Sequence, residues 1–349
     1  MSVPAAVVDV GWVNGLAAIR SLGRAGIRVL AVDHRPSALG FRSKYAEPLL
    51  SPDPFEDEPR FVNVVRALGE LVVFPTHDDS LNAIARYADD LPVLTPFPAW
   101  DVLERVQSKR TQLEQAAAVG IDIPKLDPGT FPVIVKPERS VEFKRRYRRQ
   151  AFRCETAAEL EEALAQTEEF GPIVQELIPG GDDTLYTVGS YLDGDGRALG
   201  VFCGRKLLQT PRGIGTCRIG EAIWVEEVVE AALRLLAAFE YRGISQVEFK
   251  RDPRDGRFKL MEINARLWQW HGLASACGVD LPRIAYADLT GDTPPPAPMN
   301  GSGKRWAITL LPGERPTPQR PPYVDAVFAR DDLKPALVHL ARVARSAVT

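Results

Sequence analysis

Two acids and an amide, Glu248, Glu262 and Asn264, lie in the segment ISQVEFKRDPRDGRFKLMEIN in a pattern that can hold a metal ion. ISQVEFK and FKLMEIN each read as a strand, and Asp255-Gly256 between them is a hairpin-turn signal. Side chains alternate faces along a strand, so Gln246, Glu248 and Lys250 share one face and Val247 and Phe249 the other. On the second strand Leu260, Glu262 and Asn264 share a face, with Met261 and Ile263 opposite. A turn centred on 255–256 sets residue 248 across from residue 262. Two adjacent carboxylates repel unless a cation sits between them. Hard oxygen donors suit Mg²⁺, with Mn²⁺ as the alternative, and Mg²⁺ commonly pairs one or two carboxylates with phosphate oxygens. A solvated polar hairpin shows the same alternation, so the hairpin alone leaves the two readings level.

Other residues with chemical potential precede and follow it. Lys136 ends the apolar strand VIVKP, where a charge is costly unless it meets an anion, and Lys109 stands upstream in SKRTQ. PIVQELIPG is an apolar strand that turns polar at Gln175-Glu176 and breaks at Pro179-Gly180. Such a strand-to-hinge crossing can present main-chain groups to an adenine edge. Asp182 and Asp183 follow within reach of a ribose, although DD after PGG is also an ordinary polar turn. PRGIGT at 211–216 has the glycines of a mobile lid, in which Arg212 can meet a carboxylate bidentately. Arg205, on the strand before that loop, is a further candidate. His271 reads better as a polar helix residue than as a reacting group.

These residues need a scaffold, and the chain supplies one in pieces. Residues 1–105 alternate strand and helix signals: AAVVDV, LAAIRSLGRAG, IRVLAVD, LVVFPTHDD, LNAIARYADDL. This rhythm predicts a parallel sheet covered by helices, with ligands beyond the strands' carboxyl ends at Gly11–Gly15, Asp33 and 77–79. Residues 106–178 read as a smaller mixed unit containing VIVKP, a basic stretch KRRYRR at 144–149, a helix and PIVQE. Residues 179–295 turn to β, with TLYTVGSYLD and RALGVFCGRKLLQ joined by Asp193-Gly194-Asp195-Gly196, before the helix EEVVEAALRLLAAFEY and the hairpin. After the Pro-rich 293–298, residues 296–349 read as a tail ending in an amphipathic helix.

Composition narrows the partners. With 349 residues, 45% apolar and 26% charged, the chain can bury a sizeable core, and a net charge of -3 gives no global field toward nucleic acid or an anionic membrane. No apolar run approaches the ~20 residues of a bilayer span. The opening MSVPAAVVDVGW lacks a basic n-region and cleavage site, so a cytoplasmic location is expected. Four scattered cysteines without a CxxC pair read as reduced thiols.

Taken in order, SKRTQLEQAAAVGIDIP, VIVKP, VQELIPGGDD, GRKLLQTPRGIGT, VEFK and LMEINAR resemble the ATP-grasp superfamily over roughly residues 1–290. The resemblance implies a parallel-sheet pre-ATP-grasp domain followed by a two-subdomain ATP-grasp fold. It implies ATP and Mg²⁺ as cofactors, Lys109 and Lys136 on the phosphates, and Gln175, Glu176 and Ile178 around adenine. Asp183, with Asp182 as the alternative, would bind the ribose, Glu248, Glu262 and Asn264 the metal, and Arg266 the transferring phosphate. The basic stretch 144–149 departs from the glycine-rich phosphate loop of many members. The texture is closest to carboxylate–amine ligases of the D-aspartate-ligase and peptide-forming kind, which join a small acid to an amine through an acyl phosphate. Asn14 and Gly15 would then line the substrate site; the oligomeric state is left open, with a homodimer the commonest assembly of soluble enzymes. A small-molecule kinase and a nucleotide-binding module without turnover share the same motifs.

Overall fold

The computed structural model describes residues 3–138, 141–299, 303–314, 317, 319 and 322–346. The first unit is a parallel sheet of strands β1 (Ala5–Val8), β2 (Val29–Asp33), β3 (Glu47–Leu50), β4 (Leu71–Pro75) and β5 (Val93–Leu94), in the order β3-β2-β1-β4-β5. β1 and β4 are buried at every position, as expected of strands covered on both faces. Helix α1 (Val13–Arg24) places Val13, Leu16, Ile19 and Leu22 on one face of the sheet and ends before Gly26, whose φ of +80° only glycine adopts easily. Helices α2 (Glu58–Ala67), α3 (Asp78–Arg86) and α4 (Trp100–Gln107) cover the other face. β1 pairs with both β2 and β4, so the strand order reverses there, the position at whose carboxyl side such sheets commonly bind ligands. The sequence reading missed the short strands β3 and β5.

Helix α5 (Lys109–Ala118), capped by the Ser108 hydroxyl accepting from Thr111 N, leads to a three-stranded antiparallel sheet. Its strands are β6 (Val133–Lys136), β7 (Phe152–Cys154) and β8 (Ile173–Glu176), in the order β7-β6-β8. Helix α6 (Val141–Tyr147) lies between β6 and β7, and α7 (Ala157–Thr167) packs Ala163 and Leu164 on the sheet. The basic stretch 144–149 is therefore partly helix. Arg139 and Ser140 before it lie outside the described residues.

A seven-stranded sheet forms the third unit: β9 (Leu185–Leu192), β10 (Ala198–Thr210), β11 (Thr216–Ala222), β12 (Gly243–Arg251), β13 (Phe258–Asn264), β14 (Arg305–Ala307) and β15 (Val324–Asp325), in the order β13-β12-β9-β10-β11-β14-β15. Helix α8 (Glu226–Ala238) covers one face with Val228, Val229, Leu235 and Leu236. The short α9 (Gly272–Ala276) and α10 (Leu281–Leu289) cover the other and reach α1. The segment read as a tail contributes β14 and β15 to this sheet, and its helix α11 (Lys334–Ser346) returns to the first unit, where Arg342 donates to Ser37 O.

Candidate active site

The hairpin register sets Glu248 opposite Glu262 and Gln246 opposite Asn264, the pairing expected from the sequence. One detail differs. After the 248–262 pair the next partners are Phe249 and Leu260, so β13 carries an extra residue. Leu260 turns fully into the core, while Met261 joins Glu262 in lining a cleft. The expected common face of Leu260, Glu262 and Asn264 is thus broken by a bulge, a device that re-aims side chains beside a site.

The two acids are held unequally. Glu248 Oε1 accepts from Lys206 Nζ at 2.8 Å and from Thr187 Oγ1 and Gln246 Nε2, both at 3.1 Å. Burial pushes the Glu248 carboxyl up against the pull of Lys206. Glu262 accepts from Asn264 Nδ2 at 3.1 Å. Burial pushes it upward too, but Lys144 and Lys109 outweigh that and hold it at about 2. Lys109, at the start of α5, is lowered to about 8 by desolvation, and Lys136, at the end of β6, is lowered for the same reason. Lysines in this condition gain from an anion that restores the charge balance.

Lys109, Lys136, Lys144, Lys206 and Lys250 line one cleft with both acids, and Ile134, Leu177, Ile178, Leu185 and Met261 form its apolar part. Its walls come from β6 and β8 on one side and β9, β10, β12 and β13 on the other, so its apolar part lies between two sheets and its lysines gather beside the acids. Among the described residues no cluster of three or more His, Cys, Asp or Glu could hold a metal by itself. The Glu248–Glu262 pair with the Asn264 amide fits Mg²⁺ as an incomplete oxygen set that phosphate oxygens finish.

The remaining expected residues divide. Glu176 and Ile178 line the cleft, and so does Leu177, which was expected to fall between contacts. The Glu176 carboxylate is engaged by Lys125 N at 2.9 Å, Arg254 Nη2 at 2.6 Å and Lys259 Nζ at 3.0 Å. The N–H groups of Glu176 and Leu177 donate to Lys125 O and Pro132 O. Gln175 is buried outside the cleft lining, and Asp183 is exposed on the turn 182–184. Its neighbour Asp182 turns inward, accepting from Gln209 N at 2.8 Å, Gln209 Nε2 at 2.9 Å and Gly213 N at 2.9 Å. It tethers the glycine loop, whose Gly213, Ile214 and Gly215 line the cleft while Arg212 is exposed.

Arg205 does not join the site. It lies on the α8 face of β10 with Cys203, where Glu221 Oε2 accepts from its guanidinium at 3.0 and 2.9 Å, while Lys206 points the other way to Glu248. Arg266 reaches the first unit, donating from Nε to Asp78 Oδ1 at 2.6 Å. Burial opposes ionisation of Asp78, but Arg266 and Lys144 hold its carboxyl well below the usual range. His271 is buried and donates from Nε2 to Asn14 O at 3.0 Å, and Asn14 Nδ2 donates to Thr76 O at 2.9 Å. Gly15 serves packing: a Cβ there would stand 2.7 Å from Val10 Cα. Sequence reasoning passed over Lys206, Lys250 and Gln209 as site residues, placed Asp78 only within the ligand-side strand end 77–79, and left Lys144 unassigned. A lysine inside an apolar strand, the signal used for Lys136, applies equally to Lys206 and Lys250.

Residues 223–287, which carry Glu248, Glu262, Asn264 and Arg266, match the family described as carbamoyl-phosphate synthase L chain, ATP binding domain. A D-aspartate ligase from Enterococcus faecium (strain Aus0004) is 32% identical over 176 residues, 48% of this chain and 42% of that protein, so the match spans less than half of that relative's length. The L-amino acid ligase from Bacillus licheniformis superposes with a TM-score of 0.63 at 17% identity, covering 82% of this chain and 74% of that chain. The biotin carboxylase domain of 2-oxoglutarate carboxylase from Hydrogenobacter thermophilus, solved with MgADP, ADP and bicarbonate, gives 0.66 at 16% identity, covering 84% and 71%. At such identities the structural likeness speaks for the fold.

Proposed function

We propose that the chain is an ATP-grasp ligase that uses ATP to join a small-molecule carboxylate to an amine. The observation that carries this reading is Glu248 facing Glu262 at the lysine end of a cleft whose other end is apolar. In the proposed reaction a carboxylate oxygen attacks the γ-phosphorus and ADP leaves, giving an acyl phosphate. The amine then attacks the acyl carbon, and phosphate leaves with the C–O bond electrons. Lys109, Lys136 and Lys206 position the phosphates, and the hinge at Glu176–Ile178 faces the base. Mg²⁺ held by Glu248, Glu262 and Asn264 would neutralise charge on the transferring group. The loop 211–215, tethered by Asp182, keeps water from the acyl phosphate.

The D-aspartate ligase relative and the L-amino acid ligase neighbour favour an amino acid as the acid. The test is ADP release with Mg²⁺–ATP against pairs drawn from a panel of amino acids of both hands, D-aspartate included, with mass analysis of the product. A condensed product with ADP is expected. A stable phosphorylated acid that forms without any amine would point to a kinase, and AMP release would overturn the acyl-phosphate route. Glu262→Ala should lower turnover by about two orders of magnitude. The fold should stay intact by circular dichroism, with some loss of melting temperature, because Lys109 and Lys144 lose the carboxylate that balances them. Turnover close to the parent's would refute the metal assignment.

A further inference from the structure

A second cavity adjoins Glu262. It shares Lys109, Lys144 and Glu262 with the nucleotide cleft, so an occupant touches the phosphate end and not the apolar end. Its far wall belongs to the first unit, with Asn82 and Arg86 on α3 and Trp100 and Gln107 on α4. That wall is preorganised. Gln107 Nε2 donates to Asn82 Oδ1 at 2.6 Å, and the Arg86 guanidinium lies 4.7 Å from the Trp100 ring centroid while also pairing with Glu58.

Charge decides between the acid and the amine as occupant. Three carboxylates line the cavity, and two are committed: Glu262 to the proposed metal position and Asp78 to Arg266, at 2.6 Å. Lys109 and Lys144 stand where the cavity meets the phosphates, and they attract a carboxylate and repel an ammonium. At the other end Arg86 and the two amides suit a second polar or anionic group. Glu142, exposed on α6, is the third acid and suits an ammonium.

We infer that this cavity binds the acid substrate, a small amino acid whose reacting carboxylate faces Lys109 and Lys144 and whose other end is read by Asn82, Arg86 and Gln107. The inference rests on the ligase reading for its place in a reaction, but binding is measurable without turnover. Single amino acids of the same panel are titrated calorimetrically into the protein saturated with Mg²⁺ and a non-hydrolysable ATP analogue. At least one should bind, and Arg86→Gln and Gln107→Ala should each weaken it about tenfold. Nucleotide affinity should stay at the parental value, which shows that the variants are folded. If no amino acid binds at millimolar concentration, or both variants bind like the parent, the assignment is overturned. Binding as stated with no ADP release on any amine keeps the pocket and removes the ligase reading. ADP release with an unchanged acid KM in both variants keeps the ligase reading and removes the pocket.

Discussion

Lys109 shows how one residue gives the site a pH response. Its pKa falls from 10.5 to about 8 because the ammonium loses water, an effect that Glu262 only partly offsets. Phosphates arriving beside it favour the charged form. Nucleotide affinity should therefore be full below about pH 8 and fall as pH rises through that value. For the free protein the sign is opposite. The folded state gives up the proton before the unfolded state does, so stability from this group rises between about pH 8 and 10.5. Calorimetric ATP affinity at pH 7 and pH 9 measures the first effect. Lys109→Arg should remove most of the loss at pH 9, since arginine keeps its charge. An identical loss in that variant would assign the titration to another group. Lys136 is the next candidate, because burial lowers it as well.

At the scale of elements, the large sheet shows what its side chains demand of the backbone. Trp268 and Trp270 lie against glycines on β9 and β11, the two neighbours of β10. A Cβ on Gly189 would stand 1.9 Å from Trp268 Cη2, and one on Gly220 would stand 2.5 Å from Trp270 Cε3. Gly189→Ala must displace an indole packed in a full core, at a cost of about 2–3 kcal/mol. Trp268 follows Arg266 by two residues, so the Arg266–Asp78 contact should loosen as well. Denaturant unfolding and turnover should both decline, and a variant of parental stability would contradict this packing account. None of this was legible in the sequence, where Gly189 is one glycine in a strand. The facing acids were legible, because period-two alternation and a turn dipeptide fix a hairpin register. The bulge at Met261 was not, since one extra residue leaves no mark on composition. Arg205 was named and Lys206 passed over for a related reason. β10 is a central strand with core on both faces, so polarity does not say which neighbour faces the cleft. Helix α6 escaped notice because long-range charges help to hold it, with Arg145 Nη2 2.6 Å from Asp79 and 3.1 Å from Asp53.

Across the whole molecule, two neighbouring acids near the chain's end tie the first unit to the last helix, and they differ in what they contribute. Asp332 is buried at 2% exposure and accepts from Arg20 Nε at 2.9 Å, Ser43 Oγ at 2.8 Å and Lys44 N at 2.9 Å, and its carbonyl accepts from Arg20 Nη2 at 2.9 Å. Asp331 pairs with Arg24 at 2.8 Å and accepts from Tyr45 Oη at 2.7 Å, but it and Arg24 are largely solvated. Exposed pairs contribute about 1 kcal/mol or less, whereas removing one partner of a buried pair leaves an uncompensated charge and costs about 3–5 kcal/mol. Asp332→Ala should therefore destabilise the chain by several times as much as Asp331→Ala. Arg20 must then stay buried without its carboxylate or pull α1 away from the segment before α11. Because α1 also carries Asn14, whose carbonyl accepts from His271, that shift would reach the segment that follows Arg266. Paired denaturation curves for the two variants measure the difference. The double variant Arg20→Met with Asp332→Ala should recover part of the loss, because it removes the stranded charge. Equal effects of the two single changes would mean that the buried pair does not anchor the first unit.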